Sequence, residues 1–426
     1  MFRSLPLLGP RGDSKHRTSP VGSRSRLAVL VLTGALLLPV ACSSDSSDST
    51  DAADEATDNG GGGDAPTTTT DPDPTDGPDS GPSSDAAFPG DEWAEGDAED
   101  LGFDPAVLED LAAEAEANQS NCLVVVRDGQ IAAEWYWNET GPETTQEVFS
   151  ATKSVSSVLV GIAVDDGDLE IDASASEWIP EWVGTPAEEV TVENLLSNDS
   201  GRFWSFQSDY VDMIQAGDRT QFAIDLEQTD PPGSVWAYNN AAIQTLEAVL
   251  ESATGEQVPD FAEQRLFAPL GMDDTELGSD PAGNGLTFMG VSSSCRDMAR
   301  FGWMVLNEGT WEDEQVVSSE WLEASTAAPS QDLNASYGYL WWINHEGPLA
   351  GAASPTRLDQ VDEATVGRIV PDAPEDMFWA QGLGGQIVQV HRATDTVVVR
   401  LGVGDIGAAY GSAETSRFVT EALVDP

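Results

Sequence analysis

The chain has 426 residues, of which 75 are acidic and 18 basic, giving a formal net charge of −57. This charge argues against nucleic acid as a partner, because binding to phosphates relies on Lys and Arg. A hydrophobic fraction of 40% and 13 Trp predict a globular body. The length suits either one large catalytic domain with a leader and a linker or two ordinary domains.

Residues 1–41 have the layout of a secretory signal, with a basic start, an apolar run over 27–40 and a small residue, Ala41, before Cys42. The junction resembles a bacterial lipoprotein signal, although Pro39 stands where an aliphatic residue is usual. The resemblance implies lipidation of Cys42 and export to the outer face of the cytoplasmic membrane, with membrane contact through this anchor only. Ordinary signal cleavage and a short uncleaved anchor are the alternatives.

Residues 42–90 are rich in Ser, Thr, Asp, Gly and Pro and almost lack large apolar side chains. They cannot bury enough surface to offset the entropy of ordering, so they predict a flexible, acidic linker. The pattern becomes globular at about residue 91, and we expect one folded catalytic domain over residues 91–426.

Apolar periodicity and turn signals predict alternating helices and strands in that domain. The predicted elements are a helix at 105–118, strands at 122–126 and 130–137, a buried helix at 149–164, a mostly helical section to about residue 306, strands at 386–391 and 396–402, and a closing helix at 413–424. This order predicts an α/β (α+β) fold, in which an antiparallel sheet built from N- and C-terminal strands is flanked by helices and carries an inserted, mostly helical subdomain.

The three cysteines, Cys42, Cys122 and Cys295, are far apart in the sequence. A domain of this size needs no disulfide framework. A bond between Cys122 and Cys295 is possible, but we expect two separate, half-buried thiols, because free cysteine packs readily as a small hydrophobic residue.

Ser150 and Lys153 form a Ser-x-x-Lys pattern at the start of the helix predicted at 149–164. A spacing of three places both side chains on one helix face, one turn apart, so the amine can reach the hydroxyl. Burial lowers the pKa of a lysine, as a general base requires, and the N–H groups at a helix start favour an oxyanion. Lys153 is the only lysine after residue 15, in a chain that otherwise uses Arg. The pattern therefore predicts a nucleophilic Ser150 activated by Lys153, with a surface lysine as the alternative.

Two later segments add candidate groups. A turn at 231–234 leads into an extended stretch with Tyr238 and Asn240 on one side. The phenol could relay a proton if a nearby ammonium lowers its pKa, and the amide could orient Lys153. A glycine-rich strand edge at 382–385 allows close backbone approach, so an N–H there could complete an oxyanion hole. Each segment also has a purely structural interpretation, as part of a turn and as a β-bulge.

Ser-x-x-Lys, Tyr-x-Asn and a late glycine-rich strand, in this order, resemble the superfamily of class C β-lactamases and D-Ala-D-Ala carboxypeptidases over about residues 100–420. The resemblance implies a β-lactamase/transpeptidase-like fold. The roles it implies are acylation at Ser150, proton transfer by Lys153 and Tyr238, assistance by Asn240, and an oxyanion hole from the N–H groups of Ser150 and of Leu383, next to Gly382.

Two departures from the superfamily bear on the substrate. Ala380 begins the Ala-Gln-Gly segment that stands where β-lactamases and penicillin-binding proteins carry Lys-Thr-Gly, so the cation that pairs with a β-lactam or peptide carboxylate is absent. Asn198 stands where many relatives have His. Both favour the esterases and 6-aminohexanoate-dimer-type amidases of the superfamily.

We therefore expect an exported serine hydrolase, acting as an esterase or amidase on small acyl substrates. D-Ala-D-Ala carboxypeptidase or β-lactamase activity is one alternative. A catalytically silent, surface-tethered binding or scaffold protein of the same fold is another, since fold does not guarantee function.

The sequence lacks the residue patterns of other kinds of catalytic or cofactor site. A Ser-His-Asp triad would need His345 or His391, and neither lies near a Gly-x-Ser-x-Gly elbow, which is absent. No His, Cys and carboxylate cluster has zinc-ligand spacing, and nucleotide and iron–sulfur motifs are missing, so we expect no metal and no cofactor. The tryptophans that are candidates to line the substrate pocket are Trp204, Trp236, Trp341, Trp342 and Trp379.

Overall fold

The computed structural model describes residues 87–90, 92–404 and 410–424. The predicted signal segment with its lipidation site at Cys42 lies outside the described residues, as does the predicted linker up to residue 86. None of the described helices is long and apolar enough to cross a membrane.

The centre of the described chain is a seven-stranded sheet that takes its strands from both ends of the sequence. The strands are, in chain order, β1 (Ala94–Glu95), β2 (Ser120–Arg127), β3 (Gln130–Tyr136), β4 (Trp342–Ile343), β5 (Phe378–Gly382), β6 (Gln386–His391) and β7 (Thr396–Gly402). Their order across the sheet is β1-β3-β2-β7-β6-β5-β4, and only the short β1 pairs in parallel. N- and C-terminal strands meet at β2 and β7, which confirms the predicted sheet.

Helices fill the segment between β3 and β4 and flank the sheet. The described α-helices are α1 (Pro105–Ala117), α2 (Thr152–Asp165), α3 (Val192–Ser197), α4 (Met213–Gln215), α5 (Arg219–Asp225), α6 (Asn240–Thr254), α7 (Val258–Ala262), α8 (Ala268–Leu270), α9 (Cys295–Leu306), α10 (Ser319–Thr326) and α11 (Ser412–Thr420). The inserted, mostly helical subdomain is confirmed. The closing helix ends at Thr420, four residues earlier than predicted.

Small two- and three-stranded sheets lie outside the central one. They pair Gln146–Glu147 and Glu276–Leu277 with Val291–Ser293, Val235–Trp236 with Thr356–Arg357, Gly347–Leu349 with Thr365–Gly367, and Thr310–Trp311 with Glu314–Gln315. These pairings join loops of the helical insertion and of the segment between β4 and β5.

The central strands are apolar on both faces because helices cover both faces. Successive side chains of a strand point to opposite faces. Leu123 and Val125 of β2 share a hydrophobic cluster with residues of α1 and α11. Val124 and Val126 belong instead to the main core, together with residues of α2, α6 and α9. The sheet therefore separates a small outer layer from the main core, in which the helix that follows Ser150 is buried.

Cys122 and Cys295 form a disulfide bond, so the expectation of two separate thiols is wrong. Cys122 lies on β2 and belongs to the same core as Val124, and Cys295 is the first residue of α9, which packs against β2. Their Cα atoms are 6.3 Å apart, across 173 residues of sequence. The pairing depends on where α9 lies on the sheet, which no local pattern specifies.

The helix α2 is buried from Thr152 to Ala163. A small residue in its middle permits this, because a Cβ at Gly161 would collide with the indole ring of Trp321 in α10. Close packing of this kind fixes the helix in a dense interior. Its first turn is thereby held next to α6 and the end of β5.

Candidate active site

Ser150 lies in a single 3-10 turn, Phe149–Ala151, that directly precedes α2. Phe149 has a φ of 49°, a left-handed conformation that is costly for a residue with a side chain. Backbone strain of this kind is often found at functional sites. The strained turn places a half-buried serine at the edge of the core, in front of a fully buried helix.

Lys153 lies one turn further on and is 1% exposed. Its Nζ donates hydrogen bonds to Ser150 Oγ at 3.0 Å, to Asn240 Oδ1 at 2.6 Å and to the carbonyl oxygen of Phe288 at 2.9 Å. Burial lowers the pKa of Lys153 to about 7, and the charge of Asp209 opposes this shift in part. A substantial fraction of the amine is therefore neutral at neutral pH.

The partners of the amine determine where its lone pair points after it loses a proton. The oxygens of Asn240 and Phe288 can only accept hydrogen bonds, so each of them holds one N–H of the neutral amine. The third direction leads to Ser150, whose hydroxyl can donate. This is the arrangement that a general base needs in order to take the proton of the serine.

Asp209, which the sequence analysis did not single out, orients Asn240. Its carboxylate is 1% exposed and accepts hydrogen bonds from the Asn240 side-chain amide at 2.7 Å and from the backbone N–H groups of Asn240 and Ala241 at 3.1 and 2.9 Å. A carboxylate in that position holds the NH₂ group of Asn240, which leaves Oδ1 facing Lys153. Burial raises the pKa of Asp209 to about 6, despite these hydrogen bonds.

Asn240 is the first residue of α6 and not part of an extended stretch, as had been predicted. The strand ends at Trp236, and Asn239 caps α6 by accepting a hydrogen bond from Ala242 N–H at 3.0 Å. Even so, Tyr238 and Asn240 both reach Lys153. Asn198, the residue that stands in place of His, supports this segment, since its carbonyl oxygen and Oδ1 accept hydrogen bonds from the N–H groups of Ala237 and Asn239.

The Tyr238 ring lies beside the amine, with its centroid 4.6 Å from Lys153 Nζ. Burial raises the pKa of Tyr238 well above its ordinary value, and a hydrogen bond with Ser150 offsets only part of this rise. The condition set for a proton relay, that a nearby ammonium lowers this pKa, is therefore not met. The phenol keeps its proton at neutral pH and can give it up only in exchange for another.

The tryptophans predicted to line the pocket divide into two groups. Trp236 and Trp342 lie next to the Tyr238 ring, at centroid distances of 6.5 and 5.7 Å, and Trp204 Nε1 donates to the Tyr238 carbonyl oxygen at 3.2 Å. Trp204 and Trp342 are partly buried, whereas Trp236, Trp341 and Trp379 are fully buried and belong to the hydrophobic core.

Gly382 ends β5 beside the Ser150 turn. A Cβ at this position would collide with the carbonyl oxygen of Val148 and lie 3.2 Å from the backbone nitrogen of Ala151. Glycine therefore allows the strand to approach the turn closely. The next residue, Leu383, is 44% exposed, and the chain reverses there, with the Gly385 N–H donating to the Gly382 carbonyl oxygen at 3.1 Å.

The two histidines considered for a triad have other partners. His391 lies on β6, with Nδ1 2.7 Å from Thr394 Oγ1 and Nε2 3.2 Å from Asp376 Oδ1. His345 is hydrogen-bonded to the carbonyl oxygen of Glu346. Within the part of the chain that the structure describes, no group of three or more His, Cys, Asp or Glu could hold a metal ion.

A family profile described as Beta-lactamase matches residues 109–412, which is more than half of the chain. The chain belongs to the β-lactamase family. The 6-aminohexanoate-dimer hydrolase of Paenarthrobacter ureafaciens is 26% identical over 326 residues, covering 68% of this chain and 82% of that protein. Esterase EstB of Burkholderia gladioli is 29% identical over 150 residues, which are 31% of this chain and 38% of the esterase.

A solved structure of a putative 6-aminohexanoate-dimer hydrolase from Bacillus anthracis has the same fold. It superimposes with a TM-score of 0.58 at 20% identity, covering 80% of this chain and 87% of that one. Together with the family match, this confirms the β-lactamase/transpeptidase-like fold. The chain thus belongs to the β-lactamase family and is similar to proteins named as a 6-aminohexanoate-dimer hydrolase and an esterase.

Proposed function

We propose that this member of the β-lactamase family is an exported serine hydrolase that forms an acyl-enzyme on Ser150 and acts as an esterase or amidase on small acyl substrates. The observation that carries the proposal is the buried Lys153 amine, which lies 3.0 Å from Ser150 Oγ and has its two other directions occupied by acceptors. The names of two relatives support these bond types, since one is an esterase and the other a hydrolase of the 6-aminohexanoate dimer, whose two units are joined by an amide bond.

In the acylation step, Ser150 Oγ attacks the carbonyl carbon of the substrate while Lys153 takes the hydroxyl proton. The N–H groups of Ser150 and Leu383 bind the oxyanion of the tetrahedral intermediate. When that intermediate collapses, the bond to the leaving group breaks and Tyr238 gives its proton to the departing alcohol or amine. The Lys153 ammonium then returns a proton to Tyr238, which restores both groups to their starting protonation states.

In the deacylation step, a water molecule attacks the acyl carbon of the ester on Ser150. Its proton passes to Lys153, either directly or through Tyr238, and returns to Ser150 Oγ as the carboxylic acid leaves. Lys153 is neutral at the start of both steps. A pKa of about 7 therefore matches its role in both.

Substrate preference follows from the strand beside the serine. Ala380 is buried within β5, the half-buried end of that strand carries Gln381 and Gly382, and the exposed Leu383 follows; none of these residues is cationic. A β-lactam or peptide carboxylate would find no ion-pair partner on this strand. Short neutral esters or amides are therefore the proposed substrates.

Export is also part of the proposal. A disulfide between Cys122 and Cys295 is typical of proteins that fold in an oxidising compartment. Lipidation of Cys42 would hold the protein at the outer face of the cytoplasmic membrane. Labelling cells with a palmitate analogue should mark the wild type and leave a Cys42→Ala variant unmarked. Equal labelling of both would remove the lipid anchor from the proposal.

The activity is tested with a substrate panel and a covalent probe. Wild-type protein should turn over p-nitrophenyl acetate and be labelled by a fluorophosphonate, and Ser150→Ala should do neither. Benzylpenicillin should be hydrolysed far more slowly than the ester. Efficient penicillin hydrolysis would overturn the substrate class, whereas a wild type that neither reacts nor turns over would favour the catalytically silent binding protein.

A further inference from the structure

Arg400 is a fully buried arginine on β7, behind the glycine turn that follows Gly382. One of its nitrogens, Nη1, donates to the carbonyl oxygens of Gly384 and Gly385 at 2.5 and 2.9 Å. The other two, Nε and Nη2, bind Ser120 Oγ at 2.8 Å and the Asn118 carbonyl oxygen at 2.9 Å. The guanidinium therefore joins the turn to the start of β2.

This arrangement is costly for a charged group. Among the described residues, Arg400 has no carboxylate within ion-pair distance, and burial lowers its pKa to about 10. A buried charge without an opposite charge is unfavourable even when neutral acceptors satisfy its N–H groups. An apolar side chain at this position could fill the same space without the free-energy cost of burying a charge. The hydrogen bonds from Arg400 to the turn therefore need an explanation other than packing.

The surrounding chain is shaped to admit the guanidinium. A Cβ at Gly402 would collide with the guanidinium group, and a Cβ at Gly385 would lie 2.9 Å from Nη1 and collide with the Tyr410 carbonyl oxygen. The ring of Tyr410 lies 5.3 Å from the guanidinium carbon. The absence of side chains at Gly385 and Gly402 therefore leaves the space that the guanidinium of Arg400 occupies beside the turn.

The turn that Arg400 holds controls the direction of one peptide group. Gly384 and Gly385 have φ values of 78° and 74°, so the turn is built from left-handed residues. The Gly385 N–H binds the Gly382 carbonyl oxygen at 3.1 Å. In a planar trans peptide the C=O and N–H point in opposite directions, so the Leu383 N–H points away from Gly385.

We propose that Arg400 is a positioning residue for the oxyanion hole: by holding the carbonyl groups of Gly384 and Gly385, it fixes the turn that directs the Leu383 N–H to the reacting carbonyl. The inference rests on the proposed acyl-enzyme function. Arg400 touches neither substrate nor Ser150, and its effect passes through the turn. Lysine cannot replace it, because a single ammonium cannot span the turn, Ser120 and Asn118.

The test compares Arg400→Lys with Arg300→Lys. Arg300 is a suitable control because this residue of α9 is also buried and donates to backbone carbonyl oxygens, those of Leu270 and Gly90, which lie outside the turn. Thermal unfolding, kcat and KM for p-nitrophenyl acetate, affinity for a small boronic acid and hydrogen exchange of residues 382–386 are measured for each.

Arg400→Lys should lower kcat by about 10²-fold, as the loss of an oxyanion donor does, and should weaken boronic acid binding by a similar factor. Its KM should change by less than about threefold, because the interaction is made mainly in the transition state. Exchange at residues 382–386 should accelerate. Arg300→Lys should lower the unfolding temperature but leave kcat and the exchange of this segment close to wild type.

A second variant, Gly402→Ala, displaces the guanidinium while keeping its charge, and it should reproduce the kinetic effect if Arg400→Lys fails to fold. If the wild type is active and the folded variant has the same kcat, the inference about Arg400 is wrong, while the proposed function stands. If the wild type hydrolyses no ester, the proposed function fails instead. Hydrogen exchange then still decides whether Arg400 holds the turn, and unchanged exchange overturns that role.

Discussion

The carboxylate of Asp209 binds the side-chain amide of Asn240 at 2.7 Å and so turns the amide oxygen toward Lys153. The charge of Asp209 also raises the pKa of Lys153, against the larger effect of burial. One buried carboxylate therefore influences both the orientation and the proton affinity of the proposed base. Its own pKa of about 6 means that this influence weakens in acid.

Asp209→Asn tests this relationship. Loss of the negative charge removes an interaction that favours the ammonium, so the pKa of Lys153 should fall below 7 and the acid limb of the kcat/KM profile should move to lower pH, by about 1 unit. The exposed Asp212 on the same segment provides the control variant Asp212→Asn. An acid limb that stays in place in Asp209→Asn would contradict the coupling.

The wild-type pH profile should report Lys153 itself. Only the neutral amine can accept the serine proton, so kcat/KM should rise as the pH increases through about 7. Lys153→Arg keeps the charge but cannot lose it, and should reduce kcat/KM by about 10²–10⁴-fold. Retention of most of the activity in this variant would remove Lys153 from the mechanism.

Gly382→Ala should displace the turn that carries Ser150, because Gly382 packs against the backbone of that turn. The added methyl group would meet the carbonyl oxygen of Val148, which is backbone and cannot move aside without shifting the Ser150 turn. We expect a loss of about 1–3 kcal/mol in the free energy of unfolding and at least a tenfold loss in kcat. Gly141→Ala, where a Cβ has open space, is the matched control. Equal activity of the two variants would show that catalysis does not depend on the close approach of β5 to the Ser150 turn.

The disulfide should stabilise the fold without taking part in catalysis. A Cys122→Ser, Cys295→Ser double variant should lose about 2–5 kcal/mol in the free energy of unfolding, measured with guanidinium chloride, and keep a kcat close to wild type. Alkylation of unfolded, unreduced wild-type protein should leave the peptides carrying both cysteines unmodified. Alkylation of both would mean that the bond does not form.

The features that the sequence predicted well are those that local patterns specify. The strands Gln386–His391 and Thr396–Gly402 have the predicted bounds, because both are rich in β-branched residues and are separated by a short polar turn. The proximity of Ser150 and Lys153 was predicted because a spacing of three over one helical turn needs no knowledge of the rest of the fold.

What the sequence missed depends on contacts between distant segments. Asp209 lies 31 residues before Asn240 and is one of 75 acidic residues, so nothing local distinguishes it. The pairing of Cys122 with Cys295 and the hydrogen bonds of Arg400 to the turn likewise become visible only in the folded structure. The raised pKa of Tyr238 also depends on the packed structure, because burial outweighs the other influences on the phenol.

The most direct test of the acyl-enzyme account is the mass of the protein quenched in acid during turnover of p-nitrophenyl acetate, followed by peptide mapping. The acyl-enzyme mechanism predicts one added acetyl group on Ser150 in the wild type and none on the corresponding peptide of Ser150→Ala. An acetyl group on another residue, or ester turnover by Ser150→Ala at the wild-type rate, would contradict it.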